Sequence, residues 1–345
     1  MFQKSGVLYF RNTMNTEPSI YFAPFQGITT AVFRQIYARH FPGVNKLFTP
    51  YFANFEPGHA LSPAKMVAMR NQSESGIEVV PQVLSKSADE ILWLAKVCEQ
   101  LGFKELNWNL GCPYPQVANK KRGSGILPYP EMVDEILGEV LRDINISFSV
   151  KCRLGYHSPD EMSALIPVFN RYPISELTIH ARIGRQLYSG TPNLEAFAET
   201  ASQLQMPVVY NGDIFSGEDY DRFRNWFPEI NLLMIGRGIL NDPFLPSLIK
   251  GFQLPSNPGT TIRAFVDDLY IAYRKERDDN PSVLNAMKEY WAYLAESFDE
   301  PVRVFRKVRK AKNFIDYEEA IDHVFGNFHW VGSENRPSAI PDSYR

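Results

Sequence analysis

The chain has 345 residues, of which 44% are apolar and 22% charged, a composition typical of folded globular proteins. Its 36 basic and 39 acidic residues give a formal net charge of −3, which excludes a wholly basic surface but allows a local basic patch. The sequence has no run of about 18 apolar residues, and the apolar run 7–10 (VLYF) is too short for a signal peptide. We therefore expect a cytoplasmic protein without a membrane span.

Residues 1–18 show no clear periodicity, and we predict a flexible N-terminal arm there. Short apolar runs then alternate with helical patterns up to residue 250. The clearest helix is predicted over 87–101, where Ser87 and Glu90 form a capping box and Gly102 ends the helix. Strands are predicted at 20–24, 46–50, 78–83, 105–110, 147–154, 176–181, 207–211 and 231–236. Eight strand–helix units in about 230 residues predict an α/β fold, a (β/α)8 TIM barrel over 19–250.

The strand pattern stops after residue 250, and Pro255, Pro258 and Gly259 predict a linker. The chain that follows is predicted to form a small C-terminal helical bundle domain over 260–328. Its predicted helices are 261–279, 282–297, 301–313 and 317–325. The polar tail 329–345 is expected to be frayed from Gly332 onward.

Three cysteines, Cys98, Cys112 and Cys152, have spacings that match neither a zinc site nor a disulfide framework, so we predict no metal. Cys98 lies on the apolar face of a predicted helix, and Cys152 lies on the outward side of the fifth strand. We expect both to be core residues. Cys112 differs because it follows a glycine and precedes a proline at a strand end, where the backbone can approach a ligand closely.

Strands four to six alternate between polar and apolar residues, although parallel barrel strands usually read as continuous apolar runs. The polar positions are 105, 107 and 109, then 147, 149, 151 and 153, then 176, 178, 180 and 182. We predict that this face lines the barrel interior and pairs with a polar ligand at the upper end, because unpaired buried polar groups are costly. A polar network that satisfies itself is the alternative.

The predicted strand ends place polar groups where (β/α)8 enzymes hold their active sites. The ends of strands seven and eight, NGD (211–213) and GRG (236–238), are typical of the phosphate-binding loops of this fold, although ordinary glycines at helix starts are the alternative. A phosphate site beside Lys151 and Gln82 favours flavin mononucleotide (FMN), because a lysine near the flavin ring stabilises the charge of the reduced form.

Several strings resemble the tRNA-dihydrouridine synthases, a family of flavin-dependent barrel enzymes, from about residue 20 to about residue 320. They are APFQGIT (23–29), NLGCPYPQV (109–117), VKCRLG (150–155), IHARIGRQLY (179–188), NGDI (211–214) and MIGRGIL (234–240). The resemblance implies FMN as cofactor, NADPH or NADH as electron donor and a uridine of tRNA as substrate. Departures from the family pattern include Phe25, Thr49-Pro50 and Ile183.

The resemblance also implies roles for individual residues. FMN contacts are implied for Pro24, Phe25, Gln26, Gln82, Asn109, Lys151, His180, Asn211, Gly212, Asp213, Gly236 and Arg237. Cys112 is implied to be the catalytic proton donor, giving a proton to C5 of the uracil while reduced flavin gives a hydride to C6. A thiol suits this role, since its ordinary pKa of about 8.5 leaves it mostly protonated near neutral pH.

Contacts with the base or its phosphates are predicted for Arg153, Arg182 and Arg185, and Tyr114 and Tyr188 are candidates for the wall beside the base. Two basic clusters are candidates for a tRNA surface. One is the shared face of the predicted helix 301–313, formed by Arg303, Arg306, Lys307 and Lys310, and the other is formed by Lys120, Lys121 and Arg122.

Two alternatives remain at this point. One is a flavin barrel that reduces or oxidises a small pyrimidine, of the dihydroorotate or dihydropyrimidine type. The other is a non-catalytic RNA-binding module on a barrel scaffold. The tail resembles the bacterial branch that acts on the D-loop of tRNA. The sequence leaves open which uridine is reduced, which nicotinamide is used and the oligomeric state.

Overall fold

The computed structural model describes residues 17–69, 76–333 and 338–340. Eight parallel strands form a closed barrel in chain order, with the last strand paired to the first. The strands are β1 (Ser19–Phe22), β2 (Lys46–Phe52), β3 (Glu78–Val83), β4 (Glu105–Leu110), β5 (Ser147–Arg153), β6 (Leu177–His180), β7 (Val208–Asn211) and β8 (Leu232–Ile235). Each predicted strand overlaps an observed one, so the predicted TIM barrel is confirmed.

Ten helices accompany the barrel in the described part of the chain. They are α1 (Ala31–His40), α2 (Pro63–Ala68), α3 (Ala88–Gln100), α4 (Pro115–Ala118), α5 (Pro130–Asp143), α6 (Met162–Arg171), α7 (Leu194–Gln203), α8 (Gly217–Trp226), α9 (Arg237–Asn241) and α10 (Leu245–Ile249). Among all described helices, none is long and apolar enough to cross a membrane.

The helix α3 follows its prediction with one difference at its start. The Ser87 side chain accepts from the Glu90 N–H at 3.3 Å, as a capping residue should. The Glu90 carboxylate, however, bonds to the Ser85 hydroxyl, and that hydroxyl accepts from the Ser87 N–H at 3.0 Å. The predicted capping box is therefore wrong in its second half, because a nearby serine takes the place of the glutamate.

The barrel interior is divided into an apolar and a polar half. Inward side chains of β1, β2, β3, β7 and β8 form a small apolar cluster of Tyr21, Ala23, Phe48, Val80, Val209 and Met234. The inward side chains of β4 and β5 are polar, and a chain of hydrogen bonds links Glu105, Ser149, Asn107 and Gln82. The predicted polar lining is confirmed, and its deeper part satisfies itself.

The helical region that follows the barrel consists of α11 (Pro258–Glu276), α12 (Ser282–Leu294), α13 (Pro301–Arg309) and α14 (Phe314–Asn327). It packs against α1 through aromatic side chains, with Phe33 5.2 Å from Tyr290 and 6.0 Å from Phe265 between ring centroids. Pro258, predicted to be in a linker, is the first residue of α11, where the fixed φ of proline favours a helix start.

The described part of the C-terminal tail is bound to the barrel. Ser333 donates two hydrogen bonds to Asp242, and Ser338 and the N–H groups of residues 339 and 340 donate to Asp219. Ile340 is buried against the core. The expectation of fraying from Gly332 is wrong for these residues, because two buried carboxylates bind their donors. Residues 1–16 of the predicted arm lie outside the described residues.

Candidate active site

A cavity lies at the C-terminal ends of the barrel strands, and its empty volume of about 1140 Å³ includes open solvent. We call this cavity the mouth. All twelve residues predicted to contact the cofactor line it, together with the predicted catalytic Cys112. They are Pro24, Phe25, Gln26, Gln82, Asn109, Lys151, His180, Asn211, Gly212, Asp213, Gly236 and Arg237. The barrel thus brings together residues that are spread over more than half of the sequence.

Two amide side chains form one wall of the mouth. Asn109 donates to the Gln82 side-chain oxygen at 2.6 Å, and Gln82 in turn donates to Asn107 at 2.8 Å. The Asn109 oxygen accepts from the N–H groups of Gly111 and Cys112, at 3.0 and 2.8 Å. Asn109 therefore fixes the turn that presents Cys112, and both amide residues line the cavity.

Cys112 is buried at the edge of the mouth. Burial raises the pKa of its thiol, against the opposing effects of the Tyr114 N–H, the Tyr51 hydroxyl and the nearby cations. The backbone behind it is tightly packed, because a Cβ atom on Gly123 would lie 2.5 Å from the Cys112 carbonyl oxygen, which also accepts from the Ser124 N–H. At neutral pH the thiol is protonated, as a proton donor requires.

The other two cysteines are fully buried core residues, as predicted. Burial raises the pKa of Cys98 and of Cys152 to about 12. Neither lines the mouth. Cys112 is thus set apart from them by its position and not by its residue type.

Lys151, which pairs with Asn109 across β4 and β5, and His180 on β6 add nitrogen atoms to the lining. The Lys151 ammonium donates to the Asn211 side chain at 2.9 Å, and Asn211 donates to the Met234 carbonyl at 2.7 Å. Burial, and then the charge of Arg153, lowers the pKa of Lys151 to about 7. Burial and the neighbouring cations hold the pKa of His180 well below its usual range, so its imidazole is neutral at pH 7.

Asp213 is held between two guanidinium groups at the ends of β6 and β8. Arg182 donates to it at 2.9 Å and Arg237 at 2.6 Å. The Arg237 guanidinium also lies 4.8 Å from the centre of the Tyr188 ring, at the edge of the mouth. The carboxylate is therefore neutralised within the chain, and Arg237 brings positive charge to the cavity.

Arg153 and Arg182, predicted to meet the base or its phosphates, are almost fully buried and bonded to backbone carbonyls. Arg153 donates to the carbonyls of Gly111, Ile183 and Leu187 at 2.8 to 3.0 Å. Arg182 is bonded to the carbonyls of residues 189 and 190. Both arginines stabilise the loop after β6, and Arg153 also lines the mouth, whereas Arg182 does not.

The helical region contributes two side chains that the sequence analysis missed. Glu289 and Tyr293, one helical turn apart on α12, line the mouth. The Tyr293 ring meets the Phe25 ring edge-on at 5.9 Å. Glu289 lies above Gly27, where an added Cβ would be 3.1 Å from its carboxylate oxygen. Their spacing was visible in the sequence, but nothing indicated that this face of α12 meets the barrel.

The rim of the mouth bears exposed tyrosines and basic side chains. Tyr114 and Tyr188, the predicted wall candidates, line the cavity and are 48% and 41% exposed. The other basic residues predicted to meet tRNA lie outside the cavity lining, with Lys120 and Arg185 exposed. Arg122 is partly buried and donates to Asn54 at 3.1 Å.

The basic helix α13 has the two faces that its spacing predicts. Val304 and Val308 are fully buried. Arg303, Arg306, Lys307, Arg309 and Lys310 are exposed, and Arg303 is paired with Glu300. The helix ends at Arg309 rather than 313, with Lys310 as its C-cap. It packs against α12, and α12 also contributes Glu289 and Tyr293 to the lining of the mouth.

Comparisons with known proteins place these features in a family. The family model described as Dihydrouridine synthase (Dus) matches residues 21–323. The tRNA-dihydrouridine(16) synthase of Vibrio parahaemolyticus is 29% identical, over 73% of this chain and 77% of that protein. The tRNA-dihydrouridine synthase B of Pasteurella multocida is 28% identical over 66% and 67%, and a tRNA-dihydrouridine(16) synthase of Neisseria meningitidis is 25% identical over 86% and 93%. The chain belongs to the dihydrouridine synthase family.

Proposed function

We propose that this protein reduces the C5=C6 bond of a D-loop uridine in tRNA, with FMN as its cofactor and NADPH or NADH as the electron donor. The observation that supports this best is the composition of the mouth. A protonated thiol, Cys112, and a lysine that has no carboxylate partner among the described residues, Lys151, face one cavity. A reaction that adds a hydride and a proton to a base needs both a proton donor and a cation beside the reduced cofactor.

The donor set of the mouth fits FMN. Gln82, Lys151 and neutral His180 offer hydrogen bonds to the polar edge of a flavin ring, with Pro24, Phe25 and Gln26 beside it. Gly212, Gly236 and Arg237 offer the phosphate end a close backbone and a guanidinium group. A side chain at Gly236 is excluded, because its Cβ would lie 2.8 Å from the Phe25 ring.

When bound, the cofactor supplies a hydride for C6 of the uracil ring. The Cys112 thiol then gives its proton to C5, so that the S–H bond breaks as the C5–H bond forms. Asn109 keeps the thiol at the cavity edge through its two bonds to the Cys112 turn. The base has to leave its stacked position in tRNA to reach this site, and Tyr114 and Tyr188 at the rim offer it aromatic surfaces.

The tRNA body would rest on the basic residues outside the cavity. The exposed face of α13 (Arg303, Arg306, Lys307 and Lys310) forms one patch, while Lys120, Arg122 and Arg185 extend positive charge around the rim. Phosphate contacts of this kind position a nucleic acid without reading its sequence. Since α13 packs on α12, the patch is continuous with the helix that lines the mouth.

The test is a reconstituted reaction. The purified protein should absorb at about 450 nm, as bound flavin does, and with NADPH it should form dihydrouridine in unmodified tRNA, read by mass spectrometry of nuclease fragments. Position 16, given in the names of several relatives, is the first position to inspect. Turnover of free uridine or orotate but not of tRNA would instead support the small-pyrimidine alternative. Absence of flavin and of dihydrouridine would overturn the proposal.

A further inference from the structure

The strand β2 has one extra residue relative to β3 at the level of the mouth. Phe48 pairs with Val80 but Tyr51 pairs with Gln82, so three steps along β2 match two steps along β3. Such a bulge redirects the side chains that follow it. The fully buried Thr49 holds the bulge in place, because its hydroxyl accepts from the Gln82 N–H at 3.1 Å.

The bulge turns Tyr51 into the cavity. Phe48 faces the barrel interior, and strict alternation would therefore point Tyr51 toward the outer helices. Instead Phe52 packs into the outer core and Tyr51 lines the mouth. A residue that a regular strand would bury among apolar side chains is thus brought to the active site.

The Tyr51 side chain lies beside Cys112. It packs against the small cluster of Leu84, Cys112 and Val117, and its hydroxyl acts to lower the pKa of the Cys112 thiol. The Tyr114 N–H also acts to lower this pKa, while Lys151 and Arg153 from β5 and Tyr188 from the loop after β6 are the other titratable groups near the sulfur.

We propose that Tyr51 is a positioning residue for the proton donor: its hydroxyl orients the Cys112 thiol and donates a hydrogen bond to the sulfur once the proton has left for C5. The inference rests on the proposed function of Cys112. As the S–H bond breaks, the sulfur keeps the electron pair, and water restores the proton afterwards. A hydrogen bond to a charged acceptor is about twice as strong as one between neutral groups, so Tyr51 stabilises the thiolate more than the thiol.

The proposal predicts a property of Cys112 that can be measured without flavin turnover or tRNA. Iodoacetamide alkylates the thiolate, so the pH dependence of its rate reports the pKa of the thiol. In Tyr51→Phe the midpoint of this profile should move to higher pH and alkylation at pH 8 should slow by about threefold to tenfold, since one pKa unit is a tenfold change in thiolate fraction. The variant Cys112→Ala lacks this thiol, so comparison with it shows how much of the alkylation occurs at Cys112.

A matched control removes a hydroxyl from another residue of the cavity lining. Tyr293→Phe should leave the alkylation profile nearly unchanged, since Tyr293 is not among the main influences on the pKa of the Cys112 thiol. In single turnovers with tRNA, Tyr51→Phe should reduce uridine more slowly. The tRNA concentration that gives half of the maximal rate should be unchanged, and the flavin content should be retained. An alkylation profile that is identical in wild type and Tyr51→Phe would overturn the inference even if the protein makes dihydrouridine. Failure to make dihydrouridine would refute the proposed function, while the alkylation result would still decide whether the hydrogen bond tunes the thiol.

Discussion

Two lysines inside the same barrel have opposite electrostatic surroundings. Lys46 lies at the N-terminal end of the interior, where it bonds to Glu105 at 2.7 Å and Glu176 at 3.1 Å. We call this group, with Tyr21, the floor. Burial lowers the pKa of Lys46, but the two carboxylates outweigh it and raise the pKa overall. At the mouth, Lys151 bonds to an amide, and burial lowers its pKa to about 7.

The floor and the mouth differ in whether their charged side chains are balanced by opposite charges within the chain. At the floor each charged group has its counter-charge within the chain, so the network completes itself. At the mouth the cations Lys151, Arg153 and Arg237 outnumber the two carboxylates of the lining, Glu289 and Asp213, and Asp213 is already held by two arginines. The mouth therefore keeps a surplus of positive charge that a bound anion such as a phosphorylated flavin would balance.

The largest expected effect concerns the chemistry of the mouth. Cys112→Ala should lower the rate of tRNA reduction by about 10²- to 10⁴-fold, the usual contribution of a general acid. Flavin content and reduction of the flavin by NADPH should be retained, because Cys112 gives a proton and does not balance charge. Stopped-flow absorbance separates the two half-reactions.

The matched control for this change is Cys152→Ala, on the outer side of β5. Cys152 is fully buried in the core and does not line the mouth. This variant should lose some stability but keep its rate of tRNA reduction. Equal losses of rate in both variants would show that Cys112 is only a structural residue.

The second prediction compares the two lysines directly. Lys46→Met leaves the buried Glu105 without its cation, which should lower the free energy of unfolding by about 3 kcal/mol, as for other broken buried pairs. Lys151→Met removes a cation that is bonded to the amide of Asn211 rather than to a carboxylate, so it should leave the stability of the flavin-free protein unchanged or higher. Urea unfolding of the flavin-free proteins measures both changes.

For flavin affinity we expect the larger loss in Lys151→Met, whereas for stability we expect it in Lys46→Met. Lys151→Met should weaken flavin binding strongly, whereas folded Lys46→Met should bind flavin as the wild type does, since the floor lies away from the cavity lining. If both variants lost the same stability and the same flavin affinity, the division of the interior into floor and mouth would have no functional meaning.

The third prediction uses the pKa of Lys151. In the free site this value is about 7, lowered by burial. If flavin binds better to the charged lysine, the pKa rises in the complex, so affinity is greatest below pH 7 and falls as the pH rises above it. The fall is at most about tenfold per pH unit and stops at the pKa of the complex. Flavin fluorescence titrations from pH 6 to about 9 would measure it.

Lys151→Arg is the control for this profile, because a guanidinium stays charged throughout the range. Its flavin affinity, whatever its absolute value, should be nearly independent of pH between these limits. A flat profile in the wild type would mean that the charge of Lys151 does not contribute to flavin binding, and the surplus of positive charge at the mouth would need another explanation.

The polar interior and most residues of the mouth were predictable from the sequence, because strand periodicity indicates which side chains share a face. The alternation in β4 to β6 predicted the polar interior, and the strand ends predicted which residues meet at the mouth. Tyr51 was missed because a bulge changes the period within one strand. Glu289 and Tyr293 were missed because their position depends on how the helical region packs against the barrel, which local pattern does not encode. The docked tail was missed for the same reason.

The smallest expected effect extends the comparison to charges on the surface. The cations of α13 are exposed, so salt should screen them, whereas the partly buried cations of the mouth should be screened less. Replacing Arg306, Lys307 and Lys310 by alanine should reduce the dependence of log Kd for tRNA on log salt by about two units, if each residue displaces one counterion from a phosphate. Filter binding over a salt series measures the slope.

The control triple removes the same charge from the opposite end of the barrel. Lys96, Lys104 and Arg142 are exposed on α3, before β4 and at the end of α5, away from the mouth. Their replacement by alanine changes the net charge equally, so an equal loss of slope would indicate a general charge effect and remove α13 from the tRNA surface. A loss confined to the α13 triple, with flavin affinity unchanged, would show that the protein divides its cations between two anions: buried ones hold the cofactor at the mouth, and exposed ones hold the tRNA beside it.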